Sequence, residues 1–187
     1  MHLLDWFDDE IEYKGIKSPL NLDFFNVLTV LAVLEDNELT EQQRTYTALE
    51  LLLDVDVVEI DYDGAIELLE IILNEHITQA KEEEPELDIE GNPMMVHKPK
   101  ASYDFLFDGV YIEASFRQAY NIDLFAIRGQ LHWRRFLAYF EGLPKDTIMM
   151  QVIKIRQMPM PTGDAEQAQA VAKLKHIYKL PDRGGGE

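Results

Sequence analysis

The spacing of apolar residues changes at Asp23, and the expected fold follows from that change. Before it, residues 10–21 alternate weakly about Lys14-Gly15. This predicts a short β-hairpin or an extended arm, with Pro19 ending the pairing. After it, Phe24, Phe25, Leu28, Leu31 and Val33-Leu34 predict an almost fully buried helix that stops in the Asp36-Asn37 turn. Thr40-Glu41-Gln42-Gln43 reads as a capping box, the threonine oxygen taking an orphan N–H and Gln43 reaching back to the threonine. The helix it starts runs to about Leu53 and buries Tyr46, Leu49, Leu52 and Leu53. A third helix begins near Asp63, with Ile66, Leu69, Leu73 and Ile77 inside and Glu67, Glu70 and Glu75 outside.

Residues 81–102 lose periodicity. Lys81-Glu82-Glu83-Glu84-Pro85 frays the third helix, and Gly91-Asn92-Pro93 and Lys98-Pro99-Lys100 are loop chemistry. Helices are expected at about 105–120, 126–141, 145–157 and 164–179, with Asp104 capping the first, Gly142 ending the second and Pro144 starting the third. The last is short of large apolar residues, which suits docking on a partner or fraying. The expected fold is all-α, a compact bundle of about six to seven helices behind a short N-terminal β-hairpin or arm. It forms a single domain, 1–187, with an acidic N-terminal lobe (1–80), a linker (81–102), a C-terminal helical lobe (103–180) and a disordered tail (181–187).

Composition narrows the function classes. The 187 residues include no cysteine, which removes disulfides, zinc–thiolate sites and thiol catalysis. The opening Met1-His2-Leu3-Leu4-Asp5-Trp6 is no basic-plus-apolar leader, and the longest apolar run, Val27–Leu34, is too short to span a membrane. A soluble intracellular protein is therefore expected. The net charge is −18, with 25 acids against 5 Lys/Arg in residues 1–99 and 10 against 12 in residues 100–187. Such a chain is repelled by nucleic acid and anionic lipid. Its acidity serves solubility, or a docking face for a basic partner.

Three constellations invite a chemical reading. Glu59, Asp61, Asp63, Gly64 and Glu70 follow the order of an EF-hand calcium loop. Glutamate at the first position and the β-branched run Asp54–Val58 before it weigh against calcium. A helix N-terminus, with Asp61 and Asp63 as caps, accounts for the same residues. The five histidines, His2, His76, His97, His132 and His176, lack a second ligand at metal-binding spacing. Leu131-His132-Trp133-Arg134-Arg135-Phe136 gathers aromatics and cations. On a helical wheel, though, its aromatics recur at core spacing, with Arg134 and Glu141 pointing away. No nucleophile elbow, Walker loop or dinucleotide fingerprint is present, so neither catalytic residues nor a cofactor are expected.

The same segment carries a resemblance. Tyr103-Asp104-Phe105, then Tyr111-Ile112 through Tyr120-Asn121-Ile122-Asp123-Leu124, then Leu131-His132-Trp133-x-x-Phe136, Gly142-Leu143-Pro144 and Arg156 resemble the bacteriophage gene-product-fifteen family. The front also resembles it, in the Lys-Gly turn and in the helix entry Asn21-Leu22-Asp23-Phe24. Asn121 stands where glycine is common, and asparagine tolerates the left-handed conformation needed there. The resemblance implies a protein of the tail-morphogenesis module of a long-tailed phage or prophage. It would act as a non-catalytic tail assembly chaperone that binds the tape-measure protein and tail-tube subunits and self-associates. It would work in the cytoplasm of the infected or lysogenic host and be absent from the mature virion. A minor structural part of the tail or connector is the alternative. The contact surface is expected in the acidic half first, with the arm at 1–20 or the last helix as docking element.

Overall fold

The computed structural model describes residues 9–53, 60–78 and 102–181. The expected linker and tail fall outside these residues except for Ser102 and Pro181. The described chain is mainly helical behind one hairpin, as the periodicity predicts, and none of its helices is long and apolar enough to cross a membrane. It divides into two compact units. One holds 9–53, 60–78 and 128–137, and the other holds 102–127 and 138–181.

In the first unit, strands β1 (Glu10–Tyr13) and β2 (Ile16–Pro19) pair antiparallel in the register Glu10↔Pro19 to Tyr13↔Ile16. Lys14 and Gly15 both have positive φ, 50° and 81°, as the favoured two-residue hairpin turn requires. Helix α1 (Phe24–Glu35) is capped by Asp23, whose carboxylate accepts the Phe25 N–H at 3.0 Å. Its buried face is Phe24, Val27 and Val30, and Phe25 lies outside with the Arg128 guanidinium 4.1 Å from its ring centre. This helix is apolar on all sides, so periodicity cannot choose its inner face; packing on α2 does. Helix α2 (Glu41–Leu52) carries the full capping box of Thr40 and Gln43. Its core residues are Thr45, Ala48, Leu49 and Leu52, and half-buried Tyr46 spends its hydroxyl on the Ile60 carbonyl at 2.9 Å.

Helix α3 (Tyr62–Ile72) buries Ala65, Leu68, Leu69 and Ile72, a face turned about one residue from the expected one. It runs on into one π-helical stretch, Leu73–Thr78, which buries His76 and Ile77. Asp61 occupies the N-cap position but makes no side-chain cap bond, so the expected aspartate cap is realised in backbone geometry alone.

The second unit holds α4 (Gly109–Tyr120), α6 (Ile148–Gln157) and α7 (Ala165–Ile177), with α6 packed on both others. Helix α5 (Trp133–Glu141) is counted with the first unit through Leu137 and with the second from Ala138. Helices α4, α5 and α6 start three to seven residues later than their spacing predicts. Short polar side chains claim the backbone first. The Asp104 carboxylate accepts the N–H groups of Leu106 and Phe107 at 2.8 and 2.9 Å, holding a turn ahead of α4. Asp123 does the same for Ala126 at 3.0 Å, and Thr147 donates its hydroxyl to the Pro144 carbonyl at 2.7 Å. Asp104 therefore caps a turn, and Asp108 stands at the N-cap of α4. Helix α4 ends as anticipated at a left-handed Asn121, φ 54°. Helix α7 is capped by Asp164 and buries no residue, leaving Leu174 and Ile177 exposed.

Candidate functional site

Two of the motifs singled out in the sequence meet in the first unit. Leu22-Asp23-Phe24 and Leu131-His132-Trp133 lie side by side as a short antiparallel bridge. The Trp133 N–H reaches the Leu22 carbonyl at 2.7 Å, the Phe24 N–H reaches the Leu131 carbonyl at 2.9 Å, and the Asp23 carboxylate accepts the Leu131 N–H at 3.3 Å. The starts of α1 and α5 are thereby tied across more than a hundred residues. The Phe136 ring stacks between Phe24 and Trp133, with centroids at 5.2 and 5.4 Å and planes within 15°. All three rings are buried, and the Trp133 indole N–H donates to the Ile77 carbonyl at 2.9 Å. Burying an indole requires such a partner, and a helix end has carbonyls to offer.

His132 completes this node. The Arg134 amide can only donate, so Nδ1 of His132 accepts it at 3.0 Å and Nε2 carries the proton toward the Asp9 carboxylate at 2.9 Å. The imidazole is thus a helix cap and a tether, with both nitrogens engaged. Arg134, expected to point away, turns instead to the Glu75 carbonyl at 3.3 Å.

The remaining signature residues pack the second unit. Tyr103 lies against Phe105 and Phe140 with centroids at 5.1 and 4.9 Å, and burial followed by the nearby Glu141 raises its phenol above the ordinary value. The Tyr120 hydroxyl donates to the Tyr139 carbonyl at 2.8 Å and sits against Gly142, where a Cβ would come within 3.2 Å of both that oxygen and the Ala138 carbonyl. Gly142 is therefore needed for close approach rather than for left-handed backbone. Leu143 is buried beside it in sequence. Asp123 pairs with Arg117, and its carboxyl is held below the ordinary value by the Ala126 amide first and Arg117 second.

Arg156 has the densest polar environment. Its guanidinium forms a two-pronged pair with Asp108 at 2.6 and 2.7 Å, and it also donates to the carbonyls of Tyr178 at 2.6 Å and Ser102 at 3.1 Å. The Asp108 side chain is wholly buried and that of Arg156 is 9% exposed. Sequence reasoning reached Arg156 through the family motif alone and missed Asp108, which shares no short spacing with it.

The calcium reading of Glu59, Asp61, Asp63 and Glu70 does not fit the backbone. Glu59 lies outside the described residues. Asp63, Gly64 and Glu70 sit within the continuous helix α3, and buried Gly64 lacks the positive φ of a sharp turn. A calcium loop needs irregular backbone where this chain is helical. Among the described residues, no three His, Cys, Asp or Glu are placed to hold a metal ion.

A surface suited to binding lies in the second unit. Helix α6 turns Met149 and Val152 into the core, with the Met149 N–H held by the Ser115 hydroxyl at 3.0 Å. Its adjoining face lines an open groove of about 570 Å³. Met150, Ile153, Met158 and Pro159 supply the apolar wall, and Lys145, Lys154 and Gln157 supply the polar one. No single residue marks this surface in the sequence. The available signal is that Ile148-Met149-Met150-Gln151-Val152-Ile153-Lys154-Ile155 is apolar on more sides than one buried face requires.

Comparison with curated proteins finds no match, and comparison with solved structures finds none either. The family model of the bacteriophage Gp15 protein matches residues 4–180, which takes in both motifs of the first-unit node and every signature residue of the second unit. The chain belongs to the bacteriophage Gp15 protein family.

Proposed function

We propose that this phage protein is a tail assembly chaperone. It binds the tape-measure protein, and tail-tube subunits with it, during tail morphogenesis in the host cytoplasm, acts without catalysis and leaves the finished virion. The observation that carries this reading is the α6 groove, an open, mostly apolar surface lined along one helix, the kind of surface on which an amphipathic helix docks. Membership of a bacteriophage family supports it. A long helical client with exposed apolar stripes has to be kept from aggregating. A carrier with an apolar groove and a net charge of −18 supplies both the contact and the colloidal repulsion that keeps the complex dissolved.

Co-expression with the tape-measure protein encoded by the same phage tests the reading. The client should move from the pellet to the soluble fraction and co-purify with this chain. Unchanged client solubility with no captured complex would end the chaperone reading. Mass spectrometry of purified virions should find the protein missing, and whole-number copies there would make it a structural component instead.

A further inference from the structure

Two stripes run along α6. Met149 and Val152 form the buried one. Met150, Ile153, Lys154 and Gln157 form the groove stripe, at positions i, i+3, i+4 and i+7. That spacing accepts a second helix laid along the first. The thioethers of Met150 and Met158 let the wall adjust to varied apolar side chains. The charges say more. The chain carries −18 overall, yet the two charged residues lining the groove are Lys145 and Lys154. Both are exposed, and among the described residues neither forms an ion pair. The other strong cation of this helix, Arg156, faces away and is consumed by Asp108. Ammonium groups lining an apolar groove, with no ion pair among the described residues, favour carboxylates at contact range, where local complementarity outweighs a distant field screened by salt.

We infer that the groove takes an amphipathic helix whose apolar stripe is flanked by glutamate or aspartate, the carboxylates meeting Lys145 and Lys154. The inference rests on the groove being the docking site of the proposed chaperone and narrows the partner by its charge. It runs against the net charge of the carrier, which alone would select a basic helix.

Two designed helical peptides of about 20 residues, with one shared Leu/Met stripe and flanks of either Glu or Lys, separate these cases. Each is titrated into the full chain by fluorescence anisotropy at low and moderate salt. The Glu-flanked peptide should bind about fivefold more tightly, the effect expected of two exposed contact pairs. In the double variant Lys145→Glu, Lys154→Glu the preference should reverse by a similar factor, and both substitutions are on exposed side chains that leave the fold alone. Tighter binding of the Lys-flanked peptide to the native chain overturns the inference. So does equal binding, no binding of either peptide, or a preference that survives in the double variant. Peptide binding that weakens as protein concentration rises, together with a dimer in sedimentation, assigns the groove to a second copy and overturns it as well. Full capture of the tape-measure protein by the double variant would sink this inference while leaving the chaperone reading intact. Failure of capture by the native chain, with the peptide preference present, would sink only the chaperone reading.

Discussion

Each of the two units holds a buried polar anchor, and the anchors differ in kind. In the first unit the anchor is neutral: the Trp133 indole bonded to the Ile77 carbonyl, beside the stacked rings of Phe136 and Phe24. In the second it is ionic: Arg156 held by Asp108 and by two carbonyls. A neutral donor that loses its partner leaves one unmet hydrogen bond. A buried charge that loses its partner leaves a stranded ion. The first unit should therefore respond to damage by degrees, and the second close to all at once.

Breaking the ionic anchor is the largest expected effect. Arg156→Ala strands the Asp108 carboxylate, which is wholly buried, and should cost about 3–5 kcal/mol of stability in urea unfolding. The comparison sharpens with the double variant Asp108→Leu, Arg156→Met. Because no unpaired charge remains, it should recover most of that loss. A double variant as unstable as the single one would show that the neutral bonds, from Arg156 to the Tyr178 and Ser102 carbonyls and from the Asp104 amide to Asp108, hold the unit rather than the ion pair. The neutral anchor is tested by Trp133→Phe, which keeps a ring for Phe136 to stack on but removes the donor to Ile77. It should cost about 1–3 kcal/mol, the range for a buried carbonyl left without its partner. A loss equal to that of Arg156→Ala would erase the distinction between the anchors.

The same contrast separates what was legible in the sequence from what was not. The Lys14-Gly15 turn, the Thr40–Gln43 capping box and the left-handed stop at Asn121 were readable because each is settled by residues within a turn of one another. The aromatic face of α5 was readable too, as a core stripe and not a nucleic-acid surface. The late starts of α4, α5 and α6 were not, because Asp104, Asp123 and Thr147 hold turns that periodicity does not weigh. The Asp108–Arg156 pair joins residues 48 apart, and only α4 packing on α6 brings them together. The groove escaped for a related reason. Its stripe and the buried stripe share one helix, and neighbours decide which of the two is covered. The groove proposed as the contact surface lies in the second unit, whereas the sequence directs the search to the acidic half first.

The smallest expected effect comes from an anchor left in water. Arg117 and Asp123 form an ion pair with side chains 52% and 37% exposed, so solvent and salt screen most of its attraction. The Asp123 carboxyl nevertheless titrates below its ordinary value of 3.8, chiefly because the Ala126 amide bonds the charged form and secondarily because of Arg117. A folded-state pKa lowered in this way contributes stability that is fully present above the unfolded pKa and is lost as pH falls through the folded one. Thermal melting of the native chain and of Asp123→Asn across this range should show a small, constant gap at neutral pH that closes at pH below about 4. Added salt should shrink only the part due to Arg117, since the amide bond carries no second charge to screen. A gap that persists undiminished in acid would mean that Asp123 holds the turn by shape alone, and the order of anchors by burial would then rest on the two buried ones.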